Sequence, residues 1–202
     1  MFFFMDSILL NKHRTAKYDY ITMWDIISLA QGRLHECAGR ARRSFALMLA
    51  AKTRGPVIWI SATYSPDQLN PAGIESFVDP GRFLFIKISQ KEDMLWTMEE
   101  ALRSGAVELI VADLPYFPAL SPIRRLQLAA EAGSELGMVA PLGLILTPNS
   151  GGAQGVETRW TLQPNAQGFY AGWFLSRIKS RGAPPKTWCI MQTPENSFEI
   201  AK

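Results

Sequence analysis

The stretch Cys37-Ala38-Gly39-Arg40-Ala41-Arg42-Arg43-Ser44-Phe45 follows a short apolar run and opens a helical pattern, the position at which an α/β sheet offers a site for phosphate. A phosphate cradle there needs glycines so that successive backbone N–H groups can curl round the anion. It then needs a lysine for the terminal phosphates and a Ser or Thr for magnesium. Only Gly39 and Ser44 meet that requirement. The stretch is too short for GxxxxGK[ST], lacks a second glycine and carries Arg43 where the lysine would stand. Arg40, Arg42 and Arg43 therefore keep two readings: they solvate a helix start, or their guanidinium forks meet a phosphate backbone or an acidic partner. Asp113 ends the apolar run Val107 to Ala112 and also has two readings, a turn cap or a metal ligand.

The remaining candidates are sparser. His13 and His35 are the only histidines, which rules out a multi-histidine metal site within one chain, and no metal is expected. His35 lies inside an apolar run and is expected to be a hydrogen-bonded core residue. Arg124 and Arg125, with Gln127, occupy the polar side of a helical pattern, either merely solvated or an interaction surface. Arg177, Lys179, Arg181 and Lys186 are interleaved with Trp173, Phe174 and Trp188. Cations beside rings suit single-stranded nucleic acid, but the same alternation would make those rings ordinary core.

The elements that must position these residues follow from composition and rhythm. With 202 residues, 48% hydrophobic and 19% charged, the chain is a folded protein with one principal core. A formal charge of +3 does not by itself announce a nucleic-acid binder. Cys37 and Cys189 fit neither a disulfide framework nor a CxxC metal pattern, and are expected as buried thiols in a reducing cytoplasm. The opening MFFFMDSILL is broken by Asp6, short of the roughly 20 residues a span requires, so neither anchor nor signal is expected. It is either a segment docked on the domain or an aromatic hook for a partner.

Apolar spacing at Tyr20, Met23, Trp24, Ile27 and Ala30 predicts a helix over 16–30, outside the main sheet, within an N-terminal segment 1–32. From Arg33 the units become short apolar runs alternating with helical stretches, the rhythm of a mostly parallel sheet flanked by helices. Strands are expected at 34–38, 57–60, 83–86, 107–112 and 142–147. Helices are expected at about 41–53 and 92–103, and from the pair Ser121-Pro122, read as cap and first turn. After the glycine-rich 150–155, the alternating segments 158–162, 173–178 and 187–191 predict antiparallel strands extending one sheet edge. Residues 33–202 thus form one α/β domain.

From about Arg33 to Leu162 the chain resembles the RecA recombinases. Leu102-Arg103-Ser104-Gly105-Ala106-Val107-Glu108-Leu109-Ile110-Val111-Ala112-Asp113 is similar to their helix-to-Walker-B segment, and Phe83 to Ser89 to the strand before it. The resemblance is closer to the ImuA family of RecA-like mutagenesis accessory proteins. It is carried by Arg33-Leu34-His35-Glu36, Gly55-Pro56-Val57-Ile58-Trp59, the run 124–133 (RRLQLAAEAG) and Thr158-Arg159-Trp160. The resemblance implies a RecA-like fold, a degenerate ATP loop at Gly39, Arg40, Arg42, Arg43 and Ser44, and a Walker-B-like Asp113. No carboxylate stands where RecA carries its catalytic Glu, since that strand runs into Ser61-Ala62-Thr63-Tyr64; no cofactor and no ATPase activity are expected. It further implies a non-catalytic adaptor of SOS-induced translesion synthesis. Its partners would be an ImuB-type inactive Y-family polymerase, an error-prone DNA polymerase and RecA, with DNA contact and self-association left open. The alternative is a SulA-like division inhibitor that binds FtsZ. The Gly151-Gly152 loop falls where RecA-type proteins contact DNA, but it holds no base.

Overall fold

The computed structural model describes residues 18–65, 67–165, 172–193 and 197–201; the expectations for the apolar opening and for His13 lie outside them. The described chain begins with a hairpin, β1 (Tyr20–Met23) and β2 (Ile27–Ala30), paired antiparallel as its own two-stranded sheet. This corrects the helix expected over 16–30. Ile21, Met23, Ile27 and Leu29 are the buried positions, and they alternate along each strand. The turn between them holds Trp24 and Asp25 at φ of 52° and 56°, a left-handed pair that reverses the chain and cannot occur within a helix. The expected position outside the main sheet holds.

The main sheet has nine strands in the order β11-β10-β9-β8-β3-β7-β6-β4-β5. They are β3 (Leu34–Ala38), β4 (Val57–Ala62), β5 (Phe83–Ile88), β6 (Leu109–Asp113), β7 (Leu142–Leu146), β8 (Thr158–Asn165), β9 (Gly172–Ser180), β10 (Lys186–Gln192) and β11 (Phe198–Ile200). From β8 to β5 every neighbouring pair is parallel, whereas β9, β10 and β11 are added antiparallel. The fold is therefore α/β, with a mostly parallel central sheet and an antiparallel C-terminal edge. The expected antiparallel region was drawn one strand too early, because β8 runs parallel to β3 before the chain turns back.

The central strands β3, β6 and β7 are buried along their whole length, as the covering of both sheet faces requires. One face carries α1 (Arg42–Ala50), α2 (Pro71–Glu75) and the hairpin, whose apolar residues join Trp59, Val111, Trp160 and Leu175 in one cluster. The other carries α3 (Lys91–Ser104) and α4 (Leu120–Leu136) over Leu34, Ile60, Ile110 and Ile145. Helix α3 stops at Gly105, which takes φ 53° as a left-handed cap. Helix α4 starts two residues earlier than expected. Its N-cap is Ala119 without a side-chain bond, so Ser121 sits inside the first turn and does not cap it. Arg82 closes the far end of α1, its guanidinium donating to the carbonyls of Ala50, Thr53 and Gly55.

Candidate functional site

Gly39 ends β3 and turns the chain into α1 with φ 95°; a Cβ there would stand 2.4 Å from the Leu162 carbonyl oxygen. That explains the single glycine. It also shows what the turn does with its amides. The Gly39 N–H donates to Asn149 O (3.0 Å), Arg40 N–H to Gln163 Oε1 (3.2 Å), Ala41 N–H to Leu162 O (3.1 Å) and Arg42 N–H to Gly39 O (3.3 Å). These four amides already have acceptors from the protein. Three of these acceptors come from the loop after β7 and from β8.

The side chains are engaged in the same way. Arg43 Nε donates to Asp113 Oδ2 at 2.5 Å, and the Arg42 guanidinium lies 3.5 Å from Asp113 Oδ1. Parallel pairing brings the C-terminal ends of β3, β7 and β6 side by side, so the start of α1 lies over the end of β6. The Arg43 guanidinium and the Asp113 carboxylate therefore neutralise one another directly. Asp113 is 7% exposed, and both arginines are half-buried. Ser44 is half-buried in the first turn of α1, and Arg40 is exposed. Beside the turn, Gly39, Arg40, Arg42, Pro148, Asn149, Ser150 and Gln163 line an open hollow.

Sequence reasoning named the LHE run but missed what its glutamate does. Glu36 is fully buried in β3. Its Oε1 accepts from Thr147 Oγ1 (2.7 Å) and from the Gly152 N–H (2.8 Å). Its Oε2 accepts from Arg159 Nε (2.6 Å) and, at 3.2 Å, from the Ala153 N–H. Arg159 also donates to the Ala153 carbonyl at 2.6 Å. The glycine-rich loop after β7 is thus pinned inward. An acid inside the short run Leu34–Ala38, expected as a buried strand, was the available signal, because a buried charge requires a partner.

His35 is the hydrogen-bonded core residue expected of it. Nε2 lies 2.9 Å from the Ala30 carbonyl, so it carries the proton, and Nδ1 accepts from Thr158 Oγ1 at 2.7 Å. Trp160 Nε1–H donates to the same hydroxyl at 2.7 Å. Burial pushes the His35 pKa down to about 4, so the ring is neutral. Cys37 is buried and its thiol pKa raised well above the usual range by burial, whereas Cys189 is only half-buried, contrary to expectation.

The C-terminal cations do not form one surface. Arg177 and Lys186 are cross-strand partners and stand over the Trp188 ring, Arg177 also over Trp160, on the core side of the sheet. Lys179 is opposite Arg159, beyond a register shift in β8, and Arg181 contacts Glu157 at 3.6 Å. Trp188 is buried and Trp173 packs with Phe77 and Phe198, leaving Phe174 as the exposed ring of the three. On α4, Arg124 is exposed and Arg125 reaches Glu99 of α3 at 3.3 Å. Gln127 is turned away from them: it accepts from the Leu34 N–H and donates to the Gly155 carbonyl, both at 3.1 Å. This corrects its expected place on the outer face.

Among the described residues no cluster of His, Cys, Asp and Glu could hold a metal ion, and no helix is long and apolar enough to cross a membrane. The chain matches no protein-family model, and no curated protein matches it significantly.

Proposed function

We propose that this chain is a non-catalytic adaptor of error-prone translesion DNA synthesis, of the ImuA type. In the cytoplasm it binds an inactive Y-family polymerase relative and, through it, an error-prone replicative-type polymerase. The observation that supports this reading most is the closed turn at Gly39. The amides of Gly39, Arg40 and Ala41 are satisfied by Asn149, Gln163 and Leu162, and Arg43 is held by Asp113. Phosphoryl transfer needs amides, a cation and a metal-binding carboxylate all directed at the nucleotide. A site whose parts bind one another has little left for that task, so the scaffold's remaining means of action are its surfaces.

Exposed side chains outside the turn supply candidate docking groups, among them Arg124, Trp96 and Leu128 on α3 and α4 and Phe174 on β9. The sequence resemblance assigns the partners. The test is co-purification of the full chain with the two polymerases from a reconstituted mixture. A complex stable at micromolar concentration is expected; its clean absence, with FtsZ retained instead, would transfer the assignment to the division-inhibitor reading. Magnesium-dependent ATP turnover lost on replacing Arg43 or Asp113 would refute both.

A further inference from the structure

On the α1 face of the sheet, next to the closed turn and sharing Arg43 and Asp113 with it, lies a cavity of about 260 Å³. Its floor is Trp59 and Ser61 of β4, Phe85 and Lys87 of β5 and the end of β6 at Asp113. Arg43 and the segment leading into α2, with Asp67 and Leu69, close its sides. Ser61 and Lys87 are register partners on neighbouring parallel strands, so both side chains face the cavity.

Ser61 is 5% exposed, and its hydroxyl has no hydrogen-bond partner among the described residues. A buried hydroxyl without a partner is costly, which makes it a sign of a missing ligand group. Lys87 is exposed and makes no ion pair among the described residues. Of the two cations in the lining, Arg43 is engaged by Asp113 and Asp67, which leaves Lys87 to meet an incoming anion. A polyphosphate would meet those two carboxylates at close range, whereas a single carboxylate can pair with Lys87. The volume falls below the roughly 300–1,000 Å³ of drug-sized sites, and Trp59, Leu69, Pro71 and Phe85 make much of the wall apolar.

We infer that this cavity binds a monocarboxylate carried on a compact apolar body, its carboxylate accepting from the Ser61 hydroxyl and the Lys87 ammonium. The site is independent of the adaptor reading, which stands or falls on polymerase binding. The probe is phenylacetate, titrated calorimetrically into the full chain beside its neutral analogue phenylacetamide. A peptide ending in a free phenylalanine carboxylate, with its amidated form, tells a partner's chain end from a free acid.

Saturable carboxylate binding is expected, with the amides at least about tenfold weaker, the factor that one charge-assisted hydrogen bond of about 1.4 kcal/mol supplies. Lys87→Met and Ser61→Ala should each weaken binding by a similar factor. Lys87 is exposed on an edge strand, so its variant keeps the test meaningful even if Ser61→Ala does not fold. Equal binding of acid and amide, no saturation by either carboxylate, or indifference to Lys87→Met would overturn the assignment. Tighter binding of the peptide than of phenylacetate identifies a chain terminus as the ligand, and the reverse order a free acid.

Discussion

Glu36 and Arg159 show how a residue's environment decides its role. A carboxylate in the middle of a parallel sheet survives only with excellent partners, because desolvation of each ion costs several kcal/mol. Here a guanidinium, a hydroxyl and two backbone amides surround it. Arg159→Met removes the counter-charge and leaves the acid buried, which should cost about 3–5 kcal/mol in urea unfolding. Adding Glu36→Gln should restore part of that loss, because the neutral amide no longer needs the cation. If the double variant is as unstable as the single, the stabilisation comes from packing of the Arg159 stem. Asp113 belongs to the same class: an acid at a strand end, occupied by its own chain's arginines.

At the scale of elements, the close approach of α3 and α4 sets the geometry of the second face. Gly133 touches the end of α3 so closely that a Cβ would lie 2.0 Å from the Leu102 carbonyl oxygen. Backbone cannot yield as a flexible side chain can, so Gly133→Ala must push the helices apart. A loss of about 1–3 kcal/mol or more is expected by thermal unfolding. Gly182→Ala is the control, since a Cβ at Gly182 meets nothing within 4 Å and should change stability by less than about 0.5 kcal/mol. The face shared by Ile123, Leu126, Ala130 and Gly133 was legible from spacing. That Gly133 serves contact was not, because spacing says nothing of what lies opposite.

At the scale of the molecule, His35 ties three separate segments together: the hairpin through Ala30, its own strand, and β8 through Thr158. Its folded pKa, about 4, lies below the ordinary 6.5. Between those values the unfolded chain binds a proton that the folded protein refuses. Stability is therefore complete above about pH 6.5 and declines as the pH falls towards 4, by on the order of 3 kcal/mol. Unfolding free energies measured across that window should show the slope, and His35→Asn should flatten it. An unchanged slope in the variant would assign the effect to the carboxylates instead.

By itself the sequence determined the α/β class, the parallel strands up to β7 and the absence of a GxxxxGK[ST] loop. These depend on local periodicity and on residue identity at one turn, both of which one chain displays directly. It misread residues 20–30, where apolar spacing fits a helix and a hairpin alike and the choice falls to a left-handed turn at Trp24 and Asp25. Only the tertiary structure decided that Arg43 meets Asp113, that Glu36 meets Arg159 and that Ser61 faces a cavity beside Lys87. Those pairs are brought together by the spatial order of the strands, which differs from their order in the chain. Hydrogen-bond partners and desolvation are properties of neighbours in space, and the chain alone does not state who those neighbours are.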